Sequence, residues 1–274
     1  MLGKLIKNDM KAAARGVSNV YLAAFIAMAA MGICLFADLG VGKIIASILL
    51  VLVSFATIIV TIIATVGEFR GSMFGDRGYL TNTLPVKGPT MLFSKLLTSF
   101  CWIIISYLLV FFCFWLDYYY WMGETSDSFA TMLAEMLPSI GAPNIGVLLR
   151  ALVFIAIKGV FLIIVFIAEI YFAMTLAHVR PFSALGGFGA VIYFFAVFGL
   201  VIFLSSRAEH LFTTAVLINE DLSMSFTASS EAVDAIRFSG GASVTLTQVY
   251  VEIIAAVLLF IGTGELIDRK INIK

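Results

Sequence analysis

Three charged side chains, Lys158, Glu169 and Glu252, lie inside long apolar stretches of the sequence. A charge at the centre of a bilayer costs at least about 2.5 kcal/mol, so each of them needs a partner, water or an interface. Lys158 and Glu169 are eleven positions apart. On a helix this spacing corresponds to about 16 Å of rise, which is too far for a pair within one helix. We expect Lys158 and Glu252 to face each other or to share one polar cavity. They would act either as a structural ion pair or snorkelling side chains, or in translocation or gating.

The partner of Glu169 stays open between Tyr171 on the same stretch and His178 or Arg180 in the polar turn that follows. The chain contains no phosphate-binding loop of the G-x-x-x-x-G-K-[ST] type, no H-E-x-x-H helix and no G-x-S-x-G elbow. Its three Cys and two His residues lack metal-ligand spacing. We therefore predict that the chain is not an enzyme and holds neither a metal nor a cofactor.

The composition is that of an integral membrane protein, because 62% of the 274 residues are hydrophobic and only 12% are charged. The formal net charge is zero, so nothing suggests a nucleic-acid partner. Apolar runs of roughly 17–25 residues are long enough to cross a bilayer. Six runs meet this criterion, at about 16–37, 44–67, 96–116, 151–177, 182–205 and 247–264.

The distribution of Lys and Arg orients the predicted spans. A cytoplasmic N-terminus places most of the basic residues outside the spans on the cytoplasmic side, as the positive-inside rule requires, and both termini are then cytoplasmic. Segments 117–150 and 206–246 would face outwards. The first opens with the aromatic cluster DYYYWM, which suits the outer membrane interface. In the second, LFTTAVLI at 211–218 is too short to span, so we expect a re-entrant or interfacial helix.

The N-terminal residues 1–15 predict an amphipathic helix along the inner membrane surface. Apolar residues gather on one side and Lys4, Lys7 and Lys11 on the other, which suits an interfacial helix over anionic lipid headgroups. Asp9 falls inside the apolar arc and does not fit this pattern. Residues 16–274 are then expected to form a single six-helix domain.

Residues 68–95 form the long polar interruption that carries a cluster of basic residues, between the second and third predicted spans. With the N-terminus inside, this segment is cytoplasmic, and we interpret it as a docking loop. Pro85 and Pro89 stop helical structure within the loop or simply form surface turns.

The lead-in KLIKNDMKAAAR and the segment MFGDRGYLTNTLPVKGPTMLFSKLL together resemble permease subunits of bacterial ATP-binding-cassette exporters of the ABC-2 type. The hydropathy plan is similar over the whole chain. The specific part of the resemblance is Gly78-Tyr79-Leu80, then Leu84-Pro85, then Ser94-Lys95.

The resemblance implies an all-α, ABCG-like (type V) exporter fold of six transmembrane helices in the bacterial plasma membrane. It also implies a separate ATPase subunit, which would carry ATP and Mg, and a second permease chain, identical or related. The turn 178–183 would make a second contact with the ATPase. The residues implied at the coupling contacts are Glu68, Arg77, Gly78, Tyr79, Leu80, Leu84, Pro85, Lys87 and Arg180.

Two positions depart from the family pattern, because many relatives carry an acidic residue where Arg77 stands and a small hydroxyl residue where Lys87 stands. We expect these charges to select a particular ATPase. The apolar spans favour a peptide, lipid or hydrophobic drug-like cargo. Two other readings stay open: an ion-coupled secondary transporter that uses Lys158, Glu169 and Glu252, and a non-transporting relay that senses peptides.

Overall fold

The computed structural model describes residues 2–36, 40–75, 88–122, 144–179, 182–208, 214–218, 224–228 and 242–270. Over these ranges the chain is nearly all helical. The described ranges contain six long helices, one 3-10 turn, Phe182–Leu185, and three short strands. The helices are α1 (Leu2–Phe36), α2 (Gly40–Met73), α3 (Gly88–Met122), α4 (Ile145–Ala177), α5 (Gly186–Ala208) and α6 (Leu246–Lys270). The strands are β1 (Thr214–Ile218), β2 (Met224–Ala228) and β3 (Ala242–Thr245).

Within the described ranges, six helices are long and apolar enough to cross a membrane. This finding confirms the prediction of a multi-pass membrane protein with six spans. Several helices run beyond the apolar runs that predicted them, and α4, for example, begins at Ile145 rather than near residue 151. The cytoplasmic location of the termini stays a prediction.

The chain divides into two compact units. Unit 1 comprises Met1–Ser126 and Gly264–Lys274, and unit 2 comprises Asp127–Thr263. Unit 1 contains α1, α2, α3 and the end of α6. Unit 2 contains α4, α5, the strands and the remainder of α6.

In unit 1, α1 is one continuous helix. The predicted interfacial segment 1–15 and the first span therefore share a single axis from residue 2 onwards. Its buried face runs without a break from Asp9 through Ala13, Val17 and Ala24 to Met31. The separation of apolar and basic faces appears as predicted, since Lys4, Lys7 and Lys11 are exposed. On the apolar face, Ala13 is buried, Leu5, Ile6 and Met10 are half-buried and Leu2 is exposed. The interfacial position of residues 1–15 stays a prediction.

Hydroxyl side chains line the buried face of α2. Ser54, Thr57, Thr61, Thr65 and Ser72 each donate a hydrogen bond to the carbonyl four residues earlier in their own helix. Such local bonds satisfy a hydroxyl without water, which allows it to be buried in an apolar protein.

One of these hydroxyls also links all three helices. The Tyr21 hydroxyl of α1 lies 2.7 Å from the Ser106 hydroxyl of α3, which donates to Thr61 of α2 at 2.7 Å. Thr61 in turn donates to the Thr57 carbonyl, and the Tyr21 hydroxyl also lies 3.2 Å from the Trp102 carbonyl, which competes with Ser106 for its proton. Side-chain bonds of this kind fix the register of helices that have no hydrophobic drive to associate in lipid.

The polar segment between α2 and α3 is shorter than the predicted loop 68–95. Helix α2 continues to Met73 and ends where the Phe74 and Gly75 amides both bond to the Arg70 carbonyl. Helix α3 starts at Gly88, with Pro89 at a first-turn position where its missing amide proton costs nothing. The hydropathy pattern placed the end of the second span and the start of the third too far apart, because the polar residues at the end of α2 and the start of α3 are helical.

In unit 2, α4 and α5 pack against each other near their shared turn. A side chain added at Gly189 would place its Cβ 3.2 Å from Leu185 and 3.7 Å from Ala177, so it would fit only if Leu185 shifted by a few tenths of an ångström. Aromatic rings fill the contact, with Phe166 edge-on to Phe194 at 5.8 Å between centroids.

The strands of unit 2 form an antiparallel sheet in the order β2-β1-β3. The predicted re-entrant or interfacial helix over 211–218 is therefore wrong for Thr214–Ile218, which is β1, while residues 211–213 lie outside the described ranges. β1 is the central strand, and its β-branched residues suit a buried pleated surface. The sheet supplies hydrogen bonds to the backbone of Thr214–Ile218, which was predicted to be helical. The described chain is otherwise nearly all helical, as predicted.

Candidate functional site

The ion pair predicted in unit 2 is present. Lys158 Nζ of α4 lies 2.6 Å from Glu252 Oε2 of α6, and the two side chains are 18% and 7% exposed. The pairing follows from the predicted topology, in which the fourth and sixth spans run in the same direction and place both residues at one depth. The structure confirms the contact, and any role in transport stays a prediction.

Glu169 lies on the same helix as Lys158 and is 2% exposed. His178 ends α4, and its Nδ1 lies 2.8 Å from the Met174 carbonyl. Arg180 lies outside the described residues, as does any contact that it makes. Within the described ranges, no group of three or more His, Cys, Asp or Glu residues could hold a metal ion.

Most residues that the family resemblance places at the ATPase contact lie outside the described residues. These are Arg77, Gly78, Tyr79, Leu80, Leu84, Pro85, Lys87 and Arg180. Glu68 is described and lies in α2, one residue before the fully buried Phe69. The two ends of the segment, at Gly75 and Gly88, are also described.

The downstream end of this segment is held by the last helix. The Gly88 amide donates to the Asp268 carboxylate of α6 at 2.9 Å. A Cβ on Gly88 would collide with that carboxylate and lie 3.1 Å from Ile267, so a larger residue here would displace the Asp268 side chain. One turn before Asp268, Gly264 is similarly close to Pro89, since an added Cβ there would lie 3.2 Å from the proline ring.

Two turns into α3, the same end of unit 1 contains a buried ion pair with α1. Lys95 Nζ lies 2.5 Å from Asp9 Oδ1, and the Ser94 hydroxyl donates to Asp9 Oδ2 at 2.7 Å. Ser94 is fully buried, and Asp9 and Lys95 are each 5% exposed. Both oxygens of the carboxylate are therefore occupied, as a buried charge requires.

Asp9 and Asp268 were not among the predicted site residues. The signal for Asp9 was its position in the apolar arc of an amphipathic helix, which a surface helix does not explain. Asp268 gave no such signal, because it follows the last apolar run among ordinary terminal charges. Its partner is 180 residues away along the chain.

Comparison of the chain with protein-family models, with curated proteins and with solved structures found no match.

Proposed function

We propose that this chain is the membrane-spanning permease subunit of an ATP-driven transporter of the ATP-binding-cassette class. The observation that carries the proposal is the sequence of residues 74–87, with its Gly-Tyr-Leu and Leu-Pro elements, between the second and third of six candidate spans. A separate ATPase subunit docks on this segment and supplies ATP and Mg. The chain pairs with a second permease chain in the bacterial plasma membrane and exports an apolar or amphipathic cargo.

The coupling mechanism follows from chain continuity. When ATP closes two ATPase subunits, they displace the docking segment through Tyr79, Leu80 and Leu84. Helices α2 and α3 continue directly from the two ends of this segment, so they tilt as rigid levers. The chemical step takes place on the ATPase, and this chain converts it into movement.

Purification in a gentle detergent from native membranes tests the proposal. We expect a subunit with a phosphate-binding loop to co-purify and to hydrolyse ATP. The double variant Tyr79→Asp/Leu80→Asp should lose this subunit, whereas Asn82→Asp, in the same segment, should keep it. Recovery of the chain without an ATPase would contradict the proposal. ATP hydrolysis with no movement of cargo in vesicles would favour the non-transporting relay.

The Lys158–Glu252 pair supports a second candidate, an ion-coupled secondary transporter. Here the chain reconstituted alone would move solute on an ion gradient. Lys158→Glu and Glu252→Lys would each abolish this movement, and the double swap would restore it if the direct pair is what matters. Transport that needs the ATPase and survives Lys158→Met would exclude this candidate.

A further inference from the structure

The start of α3 is attached to two other helices of unit 1. The Asp268 carboxylate of α6 accepts a hydrogen bond from the first residue of α3, Gly88. The Asp9 carboxylate of α1 accepts from Ser94 and Lys95 two turns later. A displacement of residues 76–87 that reaches Gly88 is therefore applied to three helices at once.

The contact of Asp268 suits the transmission of force, because it acts at the helix terminus itself. The first amides of a helix have no partner inside the helix, and they carry the positive end of the helix dipole. A carboxylate from another helix satisfies one of these amides and is attracted to that end. The close fit of Gly88 against Ile267 and of Gly264 against Pro89 leaves little room for sliding.

The Asp9–Lys95 contact is stiff for a different reason. Both charges are buried, so separating them in a medium of low dielectric constant is costly. Ser94 occupies the second carboxylate oxygen and limits rotation of the Asp9 side chain. Movement of α3 is thus expected to carry α1 with it instead of breaking the pair.

We propose that Asp9 and Asp268 are positioning residues that pass the movement of the docking segment from α3 into α1 and α6. This inference rests on the proposed function, since it takes the ATPase as the source of the movement. Helices α2 and α3 receive the movement through the backbone. Among the described contacts, these two carboxylates link α1 and α6 to the start of α3, and α1 also contacts α2 and α3 further along, through Tyr21 and Gly16.

Amide hydrogen exchange of the purified permease–ATPase complex in lipid nanodiscs tests the proposal. Exchange is compared with and without a non-hydrolysable ATP analogue. In the wild type we expect the analogue to change exchange in peptides covering 88–95, 2–15 and 264–270. Asp268→Ala should lose the change in 264–270 and keep it in 88–95. Asp268→Asn, which retains an acceptor oxygen, should restore it.

For α1 the test variant is Asp9→Asn/Lys95→Met. It removes both charges of the pair together, and the amide oxygen can still accept from Ser94. This variant should lose the nucleotide-dependent change in 2–15. Asn8→Asp and Glu265→Gln, at exposed neighbouring positions, are the matched controls and should respond as the wild type does.

The outcomes separate the two proposals. Absence of the ATPase from the purified wild type overturns the proposed function before any nucleotide is added. If the ATPase is present, nucleotide responses in α1 and α6 that are unchanged in the variants overturn the role of Asp9 and Asp268. A wild-type response confined to α2 and α3 overturns it as well. Exchange in the centre of α2 without nucleotide reports whether each variant is folded.

Discussion

The two units of this protein hold their helices together differently. Unit 1 has side-chain hydrogen bonds between helices at three levels: Asp9 with Ser94 and Lys95, Tyr21 with Ser106, and Ser47 with Asp117. In unit 2, the ring of Phe166 on α4 contacts that of Phe194 on α5, and the Lys158–Glu252 pair is partly exposed. Ring contacts also join helices of unit 1, as between Tyr21 and Trp102. Apolar packing alone fixes helix register weakly in lipid, because lipid tails are as apolar as the side chains. We infer that unit 1, which carries the docking segment, has the more firmly fixed register.

The largest expected difference between the units is in the free energy of unfolding that is lost when the ion pair of each unit is broken. Lys95→Met leaves Asp9 buried without its counter-ion and should lower the free energy of unfolding by about 3–5 kcal/mol. Lys158→Met should cost less, because the Lys158 side chain is 18% exposed against 5% for Lys95. Reversible unfolding in mixed detergent micelles measures both. Lys11→Met, at an exposed position of α1, is the control.

The pair variant Asp9→Asn/Lys95→Met should recover most of the stability that Lys95→Met loses, since it removes both charges. A cost for Lys158→Met that equals or exceeds the cost for Lys95→Met would contradict the comparison of the two units.

The next largest change in the free energy of unfolding is expected from a substitution at the contact of α1 with α2. A Cβ at Gly16 would lie 2.9 Å from the Cβ of Ala64, so Gly16→Ala forces the helices apart and should cost about 1–3 kcal/mol. Gly32, on the same helix, has no atom within 4 Å of an added Cβ. Gly32→Ala should therefore stabilise the protein, by up to about 1 kcal/mol, through helix propensity. Equal effects of the two substitutions on unfolding would show that α1 and α2 do not approach closely at Gly16.

A smaller change in the free energy of unfolding should distinguish hydrogen bonds between helices from hydrogen bonds within one helix. Ser106→Ala breaks the chain from Tyr21 to Thr61 in unit 1 and should cost about 0.6–1.7 kcal/mol, the range for such bonds in membranes. Thr175 in unit 2 donates to the Tyr171 carbonyl of its own helix. Thr175→Val should change the unfolding free energy by less than about 0.5 kcal/mol, because that carbonyl keeps its backbone bond. The reverse order of the two costs would be inconsistent with register fixed by polar contacts in unit 1.

The smallest effect is expected at Thr98, on the buried side of α3. Its hydroxyl has no hydrogen-bond partner among the described residues, and the same is true of Trp102 Nε1 one turn later. Thr98→Val keeps the shape and removes an unsatisfied group, so stability should stay constant or rise by up to about 1 kcal/mol. A loss above that amount would mean that the Thr98 hydroxyl has a partner in the membrane-embedded protein.

Hydropathy and charge were sufficient to predict six spans and the pairing of Lys158 with Glu252, because both depend on span length and direction. Helix ends were not predictable in this way. Glu68–Met73 and Gly88–Lys95 are polar enough to interrupt a span yet are helical, since hydropathy reports burial in lipid and not backbone hydrogen bonding. The prediction of a helix over 211–218 failed for a related reason, as a short apolar run fits a strand or a helix equally well.

The contacts of Asp9 and Asp268 could not be predicted, because each depends on tertiary structure between distant parts of the chain. Asp9 was visible only as an exception on an apolar face. The contact with the ATPase differs from these two contacts, because the residues that suggest it lie outside the described ranges and the structure does not test it. Its basis is the family resemblance of the sequence, and it stays a prediction.

The docking of an ATPase on residues 74–87 is tested most directly by site-specific photo-crosslinking in intact cells. A photoreactive amino acid is placed at Leu80, and in a matched variant at Phe226, which is 78% exposed on β2 and predicted to face the opposite side of the membrane. We expect the Leu80 variant to capture a protein that mass spectrometry identifies as an ATPase with a phosphate-binding loop, and the Phe226 variant not to capture it. Failure at Leu80, or equal capture from both positions, would contradict the proposed docking site and with it the assignment of the chain as a permease subunit.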